Sequence, residues 1–524
     1  MIRYDLIVIG AGPAGLSAAI EGAKAGMRTV VFDENERPGG QLFKQIHKFF
    51  GSKEHKAKIR GINIGEKLLR EAEEVGVEVN LSSTVIGIYP EKCISVNRGD
   101  HIENFRAETI IVATGAAEKM IPFKGWDLPG VMGAGAAQTM MNLHGVMPGK
   151  KILMLGTGNV GLVVSFQLLQ AGCEVTALVD AAKRVGGYGV HAAKVARTGV
   201  PFYLSHTIVE AKGTDHVESV VIAEVDERFQ PIPGTEVELE TDTICVAVGL
   251  NPMSQLVRMT GCRMKEQGGL VPECDEYGAT SIKGIYAAGD VSGIEEASSA
   301  MIEGHITGLA AARHAGWIEE DEFEEKVNIQ LQSLDKLRHG MFAPQNKGKT
   351  PETTDEGIPM AKSLLQKGYM DLSEVERYPG IVRKAGVHPV IECSQNIPCD
   401  PCQDACPFGC IRVGNHITDL PAVVPESVCK NCGACVAACP GQAIFLVDED
   451  AGEGYGTVSL PYEFLPIPSA GDRGKALDRS GSAVCDAEVL NVKDLKAYDK
   501  TAVLTIKVPK EHAMEARFFR KEAR

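Results

Sequence analysis

An α/β chain with two doubly wound parallel sheets, a small cysteine-rich α+β module and a β-rich C-terminal unit is predicted by three features of the 524 residues. Two apolar runs each break into Gly-x-Gly-x-x-Gly, at Gly10-Ala11-Gly12-Pro13-Ala14-Gly15 and Gly156-Thr157-Gly158-Asn159-Val160-Gly161. Nine of the fifteen cysteines crowd between Cys393 and Cys439. Beyond Val447 short, partly alternating apolar segments replace the strand–glycine–helix pattern. A chain of this length holds about three domains.

Apolar residues make up 44% and charged residues 23%, an ordinary globular composition. The net charge of −15 argues against a nucleic-acid or anionic-membrane surface, since both need clustered Lys and Arg. Glycine and charge interrupt every apolar run before it reaches membrane-spanning length. Met1-Ile2-Arg3-Tyr4-Asp5 enters the first strand without the regions of a secretory signal, so a cytoplasmic protein is expected.

The first strand, Asp5-Leu6-Ile7-Val8-Ile9, leads into a turn with the physics of a dinucleotide cradle. Gly10 permits the tight turn, Gly12 lets the backbone approach a pyrophosphate, and Gly15 lets helix and strand pack closely. Pro13 and Ala14 open the helix whose N-terminus takes the phosphates. A second strand at 28–32 ends at Asp33 and Glu34, where a ribose hydroxyl is bound. Pro38-Gly39-Gly40-Gln41 is a loop, followed by a polar helix at 65–75 and strands at 77–81 and 84–88. The apolar strand at 109–113 ends in Thr114 and Gly115, a turn suited to crossing beside a nucleotide.

The device then repeats at 151–180. Gly156, Gly158, Asn159, Val160 and Gly161 form the second turn, and Asp180 ends the next strand. A carboxylate there accepts from ribose hydroxyls and repels a 2′-phosphate, which favours NAD(H) over NADP. Another adenine nucleotide, ATP among them, or an unoccupied fold are the alternatives. Thr243 to Gly249 repeats the strand-to-glycine crossover, and Ala287-Ala288-Gly289-Asp290 follows.

Two such fingerprints, two crossovers and a late Ala-Ala-Gly-Asp resemble the two-dinucleotide-binding flavoproteins related to glutathione and thioredoxin reductases. The resemblance implies a discontinuous FAD domain, 1–117 with 245–316, and an inserted NAD domain, 118–244. It assigns FAD contacts to Gly40, Gln41, Val85, Thr114 and Gly115, and gives Asp290 the ribityl or phosphate region at the opening of a helix. It departs from those reductases in lacking a redox cysteine pair after the Pro-Gly-Gly loop or in the second domain. Cys93, Cys173, Cys245, Cys262 and Cys274 stand alone and read as packing residues. No side chain offers itself as a substrate acid or base.

Residues 317–388 read as a helical linker: an acidic helix with a solvated charged face, then a Pro, Gly, Lys and Thr-rich stretch at 343–357. At 389–448 the cysteines decide the reading. Cys429-x2-Cys432-x2-Cys435-x3-Cys439-Pro440 has the spacing of a cubane iron–sulfur site. C-x2-C pairs also hold zinc, but the x3 step and the proline favour iron and sulfur. Cys399-x2-Cys402-x3-Cys406-Pro407 is an internal copy that sets Asn396 opposite Cys429 and Cys410 opposite Ala443. Cys393 then reaches in from a longer loop. The ferredoxin pattern groups Cys393, Cys399, Cys402 and Cys439 on one [4Fe-4S] cluster and Cys406, Cys429, Cys432 and Cys435 on the other. The displaced first ligand leaves a three-iron cluster or an empty site open at the first position. Strands at 483–490 and 501–508 and a frayed basic tail at 517–524 complete a β-rich unit at 449–524.

Over roughly 1–315 the chain is similar to the α subunits of flavin-dependent amino-acid dehydrogenases: dye-linked proline dehydrogenases, opine oxidases and hydrogen cyanide synthase. The Gly130-Val131-Met132-Gly133-Ala134-Gly135-Ala136-Ala137-Gln138 stretch carries this along with the two turns. The implied partner is a second flavoprotein that oxidises an amine, with a small iron–sulfur protein as another candidate. The expected role is transfer of electrons between FAD, two clusters and NAD(H) or the partner's flavin. A stand-alone NADH:acceptor reductase and a scaffold with structural ATP are the rivals.

Overall fold

The computed structural model describes residues 1–351 and 360–522. The chain divides into two compact units, 1–118 with 250–352 and 119–249 with 353–524.

In the first unit the strands run in the order Glu78–Asn80, Thr29–Phe32, Ile2–Ile9, Ile102–Val112, Cys93–Asn97, Thr84–Tyr89, with Ile285–Ala287 also paired to Ile102–Val112. The three N-terminal strands and Ile102–Val112 are parallel. Alternation along Ile2–Ile9 sends Leu6 and Val8 into one core and Ile7 and Ile9 into the other, so both faces are covered. Helices Pro13–Lys24 and Ala297–His314 pack together through glycine. A Cβ on Gly304 would lie 2.2 Å from the Ala14 carbonyl oxygen, and one on Gly308 2.4 Å from that of Ala18.

Helix Glu320–Leu337 belongs to this unit rather than to a linker. Its Phe323, Val327 and Leu334 enter the core with Leu331 packed against it, a stripe at helical spacing beneath the charged face. Arg313 lies 3.8 Å over the Phe323 ring. The stretch expected at 343–357 lies partly outside the described residues.

In the second unit a parallel sheet runs Phe202–Leu204, Glu174–Asp180, Lys151–Leu155, Thr243–Val246, Val131–Gly133. Since Thr243–Val246 pairs with two strands of this sheet, the boundary expected at 244/245 moves to between Gly249 and Leu250. A seven-stranded antiparallel sheet follows: His388–Ile391, Ile444–Gly452, Tyr455–Tyr462, Ala502–Pro509, Ala483–Lys493, Arg473–Leu477, Phe518–Lys521. The cysteine-rich chain leaves this sheet after Ile391 and re-enters at Ile444. The expected division at 448/449 therefore cuts a strand and falls away. Nor is the tail frayed: Phe518–Lys521 is a strand, and Arg517 is 1% exposed. Residues 523–524 lie outside the described residues.

Candidate functional site

The two glycine turns are built alike. Gly10 has φ +106°, and its Cβ would stand 2.4 Å from the Ala113 oxygen; on Gly15 a Cβ would stand 1.8 Å from the Gly10 oxygen. Gly156, at φ +112°, would meet the Ala247 oxygen at 2.3 Å, and Gly161 the Gly156 oxygen at 2.1 Å. Gly12 and Gly158 have no atom within 4 Å of a would-be Cβ. The outer glycines of each turn are packed and the middle one faces open space. The N-cap residues Gly12 and Gly158 bring no capping side chain to helix Pro13–Lys24 or helix Asn159–Gln170, so the positive end of each helix faces its glycine turn. Pro13 and Ala14 sit at the first helix start, and Val160 is exposed at the second. These features fit the pyrophosphate of a dinucleotide.

Each strand-end acid braces its turn. Ala11 N–H donates to Asp33 Oδ2 at 2.6 Å, and Thr157 donates to Asp180 Oδ2 at 2.7 Å through both its N–H and its hydroxyl. The second oxygens accept from Asn35 N–H at 2.8 Å and Ala182 N–H at 2.9 Å. A carboxylate has about four acceptor positions, so sites remain for ribose hydroxyls. Glu34 and Gln41 are exposed, whereas Val85 is buried in the core, which leaves only its backbone for a nucleotide. Gly40 is packed over the first turn, its would-be Cβ 2.9 Å from Gly12 Cα. Thr114 donates its hydroxyl to the Met253 oxygen at 2.7 Å, and Gly115 has φ +70° with nothing near its would-be Cβ.

Two features were missed in the sequence. Arg184-Val185-Gly186-Gly187 stands as far beyond Asp180 as Arg37-Pro38-Gly39-Gly40 stands beyond Asp33. It folds over the second turn: Gly187 N–H donates to the Thr157 oxygen at 2.9 Å, Tyr188 N–H to Asn159 Oδ1 at 2.8 Å, and a Gly187 Cβ would lie 2.8 Å from Asn159 N. Comparing the two acid-to-glycine intervals would have found it. Lys44, at the end of the turn Gly40–Lys44, is the second: burial lowers its pKa against the pull of the Glu118 carboxylate.

Asp290 lies in the short turn Gly289–Ser292, and the long helix begins only at Ala297, so the acid does not open that helix as expected. Burial pushes its carboxyl up to about 6, against the Glu295 N–H that donates to Oδ1 at 3.2 Å. Beside it Glu303 accepts from Gly289 N–H at 2.9 Å and Lys347 Nζ at 2.8 Å, and Lys347 also reaches Ser292 Oγ at 2.9 Å. A raised carboxyl favours the fold while protonated, and that contribution is lost as pH rises through about 6. Flavin-free Asp290→Asn is therefore expected to be more stable than the parent at pH 8, by up to about 3 kcal/mol, and equal to it near pH 4. Urea unfolding followed through Trp317 measures this; an unchanged gap between the two pH values refutes it.

The cysteine thiols form two groups. Burial pushes Cys393 up to about 12, helped by Cys439, and the same pair acts on buried Cys402. Cys435 is raised by burial and then by Cys406, Cys429 and Cys432. Cys402 also feels Cys435, where the groups adjoin. Cys399 donates its N–H to the Ile417 oxygen at 2.8 Å and precedes helix Pro401–Ala405. The internal copy is visible in three dimensions. That helix leads to Cys406, as Ala434–Ala438 leads to Cys439. Cys410 N–H donates to Cys406 Sγ at 3.3 Å and Ala443 N–H to Cys439 Sγ at 3.4 Å, the same four-residue step. Asn431 N–H donates to Cys429 Sγ at 3.4 Å. Asn396 is buried and donates to the Thr418 oxygen. Backbone N–H groups aimed at sulfur suit thiolates in a cluster, where such bonds tune the potential. Among the described residues no group of three or more His, Cys, Asp or Glu is arranged for a metal ion. A cubane needs a wider ring, since its thiolates bind separate irons.

Two glycine-turn folds and a doubled cysteine module define a two-dinucleotide-fold protein with an iron–sulfur segment. The chain belongs to the pyridine nucleotide-disulphide oxidoreductase family, whose pattern matches residues 4–304, and carries a 4Fe-4S binding domain matched over 422–445. An opine oxidase subunit of Rhizobium meliloti is 30% identical over 341 residues, 60% of this chain and 64% of that protein. Hydrogen cyanide synthase subunit HcnB of Pseudomonas aeruginosa is 27% identical over 356 residues, 63% of this chain and 76% of that one. The match thus spans just under two thirds of the opine oxidase protein. Thioredoxin reductase of Lactococcus lactis shares the fold, with TM-score 0.50 and 23% identity, over 60% of this chain and 100% of that one. Among the described residues no helix is long and apolar enough to cross a membrane.

Proposed function

We propose that the chain is an electron-transferring flavin and iron–sulfur subunit of an amino-acid dehydrogenase complex of the proline, hydroxyproline or opine type. Its first cradle takes FAD, and its thiols take two [4Fe-4S] clusters in the interleaved sets given above. The other electron terminus is NAD(H) at the second cradle or the flavin of an amine-oxidising partner. The observation that carries this reading is the pair of pseudo-symmetric thiol groups within the same compact unit as the second nucleotide fold. Relatives named as subunits of opine oxidase and hydrogen cyanide synthase support the partner.

A flavin takes up a hydride as two electrons and releases them singly, which joins hydride chemistry to one-electron clusters. This chain's residues bind and orient. The two helix N-termini hold phosphates, Asp33 and Asp180 brace the turns and hold riboses, Asp290 anchors the flavin chain, and eight thiolates hold iron. The loop at Gly186 and Gly187, matching that over the first cradle, suits an exchanging NADH and equally the rival reading of a resident adenine nucleotide such as ATP.

Anaerobic titration of the purified chain with NADH, following flavin bleaching and cluster paramagnetic resonance, tests the reading. Reduction of both makes NADH a terminus, as in a stand-alone NADH:acceptor reductase or its complexed form. Reduction by dithionite but not NADH, with ATP released on gentle denaturation, assigns the second cradle to a structural nucleotide. In the first case Asp180→Ala is expected to slow NADH-driven reduction about tenfold, the worth of one or two net hydrogen bonds, with FAD retained. Unchanged NADH kinetics remove the ribose role of Asp180.

A further inference from the structure

Three buried guanidiniums lie along the chain that carries Cys393 and Cys439: Arg197 acts on the Cys439 thiol, and Arg479 and Arg517 hold Glu392, the residue before Cys393. Glu392, next to Cys393, accepts from Arg479 Nη2 at 2.6 Å and from Arg517 Nε at 2.5 Å. Arg197, just past helix Gly189–Ala196 of the second nucleotide fold, donates to the backbone oxygen of Gln442 at 2.8 Å and to its Oε1 at 2.9 Å, three residues beyond Cys439. Arg197 and Arg517 both lie over the Phe445 ring, at 5.6 and 4.8 Å. Exposures are 5% for Arg197, 7% for Arg479 and 1% for Arg517, so water screens none of them.

These cations share one buried carboxylate, Glu392. Glu463, the next acid to act on Arg197, is part-buried and already accepts from Gln170 and Thr501. Arg197 Nε and Arg517 Nη2 have no acceptor at all. Buried charge left uncompensated is costly, so the pocket calls for a further anion. The anion at hand is the cluster on Cys393, Cys399, Cys402 and Cys439, whose thiolates outweigh the charge of its core. At the other thiol group the nearby cations include Lys384, on the Ser427 oxygen at 2.6 Å, Lys493, on the Asn431 and Cys432 oxygens, and exposed Lys430 next to Cys429. All three lysines keep access to solvent, which screens them.

We infer that Arg197, Arg479 and Arg517 make the Cys393–Cys439 cluster the higher-potential member of the pair. Reduction adds one negative charge, and unscreened cations favour the more negative state. The electron that reduces the pair once therefore rests beside the second nucleotide fold, while the Cys429–Cys435 cluster stays oxidised. This rests on the interleaved ligand sets proposed above. The three arginines are positioning residues that act through the cluster's field.

The test is a mediator titration of the full chain with both clusters, read by paramagnetic resonance, with signals assigned by Cys439→Ala and Cys432→Ala. The expected result is that the signal lost in Cys439→Ala is the first to appear on reduction. In Arg197→Gln its reduction constant falls about tenfold, about 59 mV for one electron, the second signal stays in place, and Arg197→Lys restores most of the shift. The inference is overturned if the signal lost in Cys432→Ala appears first, a result the unsubstituted chain gives even if Arg197→Gln fails to fold, or if Arg197→Gln moves both signals alike. If Cys439→Ala and Cys432→Ala lose the same signal, or if neither spares one, the ligand sets themselves fail, and the potential order with them.

Discussion

Cys439→Ala is expected to lose the cluster shared with Cys393, Cys399 and Cys402 and to keep the other, leaving about half the iron of the parent. The expectation is sharp because Cys439 belongs in sequence to the run Cys429-x2-Cys432-x2-Cys435. A site that used its own run would instead be crippled by this change and leave Cys393 unaffected. The interleaved pairing is the one proposed because Cys439 acts electrostatically on Cys393 and Cys402, whereas Cys435 feels Cys406, Cys429 and Cys432, with Cys402 the one thiol that also feels Cys435. Cys406→Ala is the mirror experiment and should remove the cluster that Cys439→Ala spares. Iron content and the resonance of the reduced protein read both. Loss of the same signal in Cys439→Ala and Cys429→Ala, and of the other signal in Cys406→Ala, would show that each run closes on itself.

What the sequence reveals depends on how local the physics is. The glycine turns were legible because a left-handed φ at Gly10 and Gly156 and a close approach at Gly15 and Gly161 admit no other residue. The cysteine spacing was legible because ligand geometry is nearly rigid. Helix 320–337 was misread because its acids hide a four-residue stripe, Phe323, Val327, Leu331 and Leu334, that a count of periodic positions would have found. The tail was misread for a different reason. A terminal arginine reads as solvated until its partner is known, and the partner of Arg517 is a carboxylate 125 residues earlier in the chain. The boundaries near 244 and 448 failed likewise, since strand pairing across a sheet leaves no mark in the strand's own composition.

That distant pairing sets the largest stability effect expected in the chain. Burial alone would raise the Glu392 carboxyl, but Arg479 and Arg517 overcome it and hold it down at about 2. Arg517 itself is pulled down to about 10, first by burial and then by Arg479, against its one carboxylate. Removing the negative charge while keeping the shape, as in Glu392→Gln, leaves two buried guanidiniums facing a neutral amide. Breaking one side of a buried pair costs about 3–5 kcal/mol, and here one acid serves two cations, which points to the upper end. The sign with pH is fixed: a carboxyl held below its unfolded value adds stability above about 4.5 that drains away as pH falls toward 2. The parent should therefore lose about 3 kcal/mol across that interval through this group, and Glu392→Gln should lack that share of the loss while being the weaker protein at neutral pH. Urea unfolding followed by Trp126, which lies in the same compact unit, in a background with Trp317→Phe, reads both quantities. A variant as stable as the parent at pH 7 would mean that the arginines find another anion, and the cluster proposed on Cys393 and Cys439 is the candidate; comparing iron-loaded with iron-free protein then tests it.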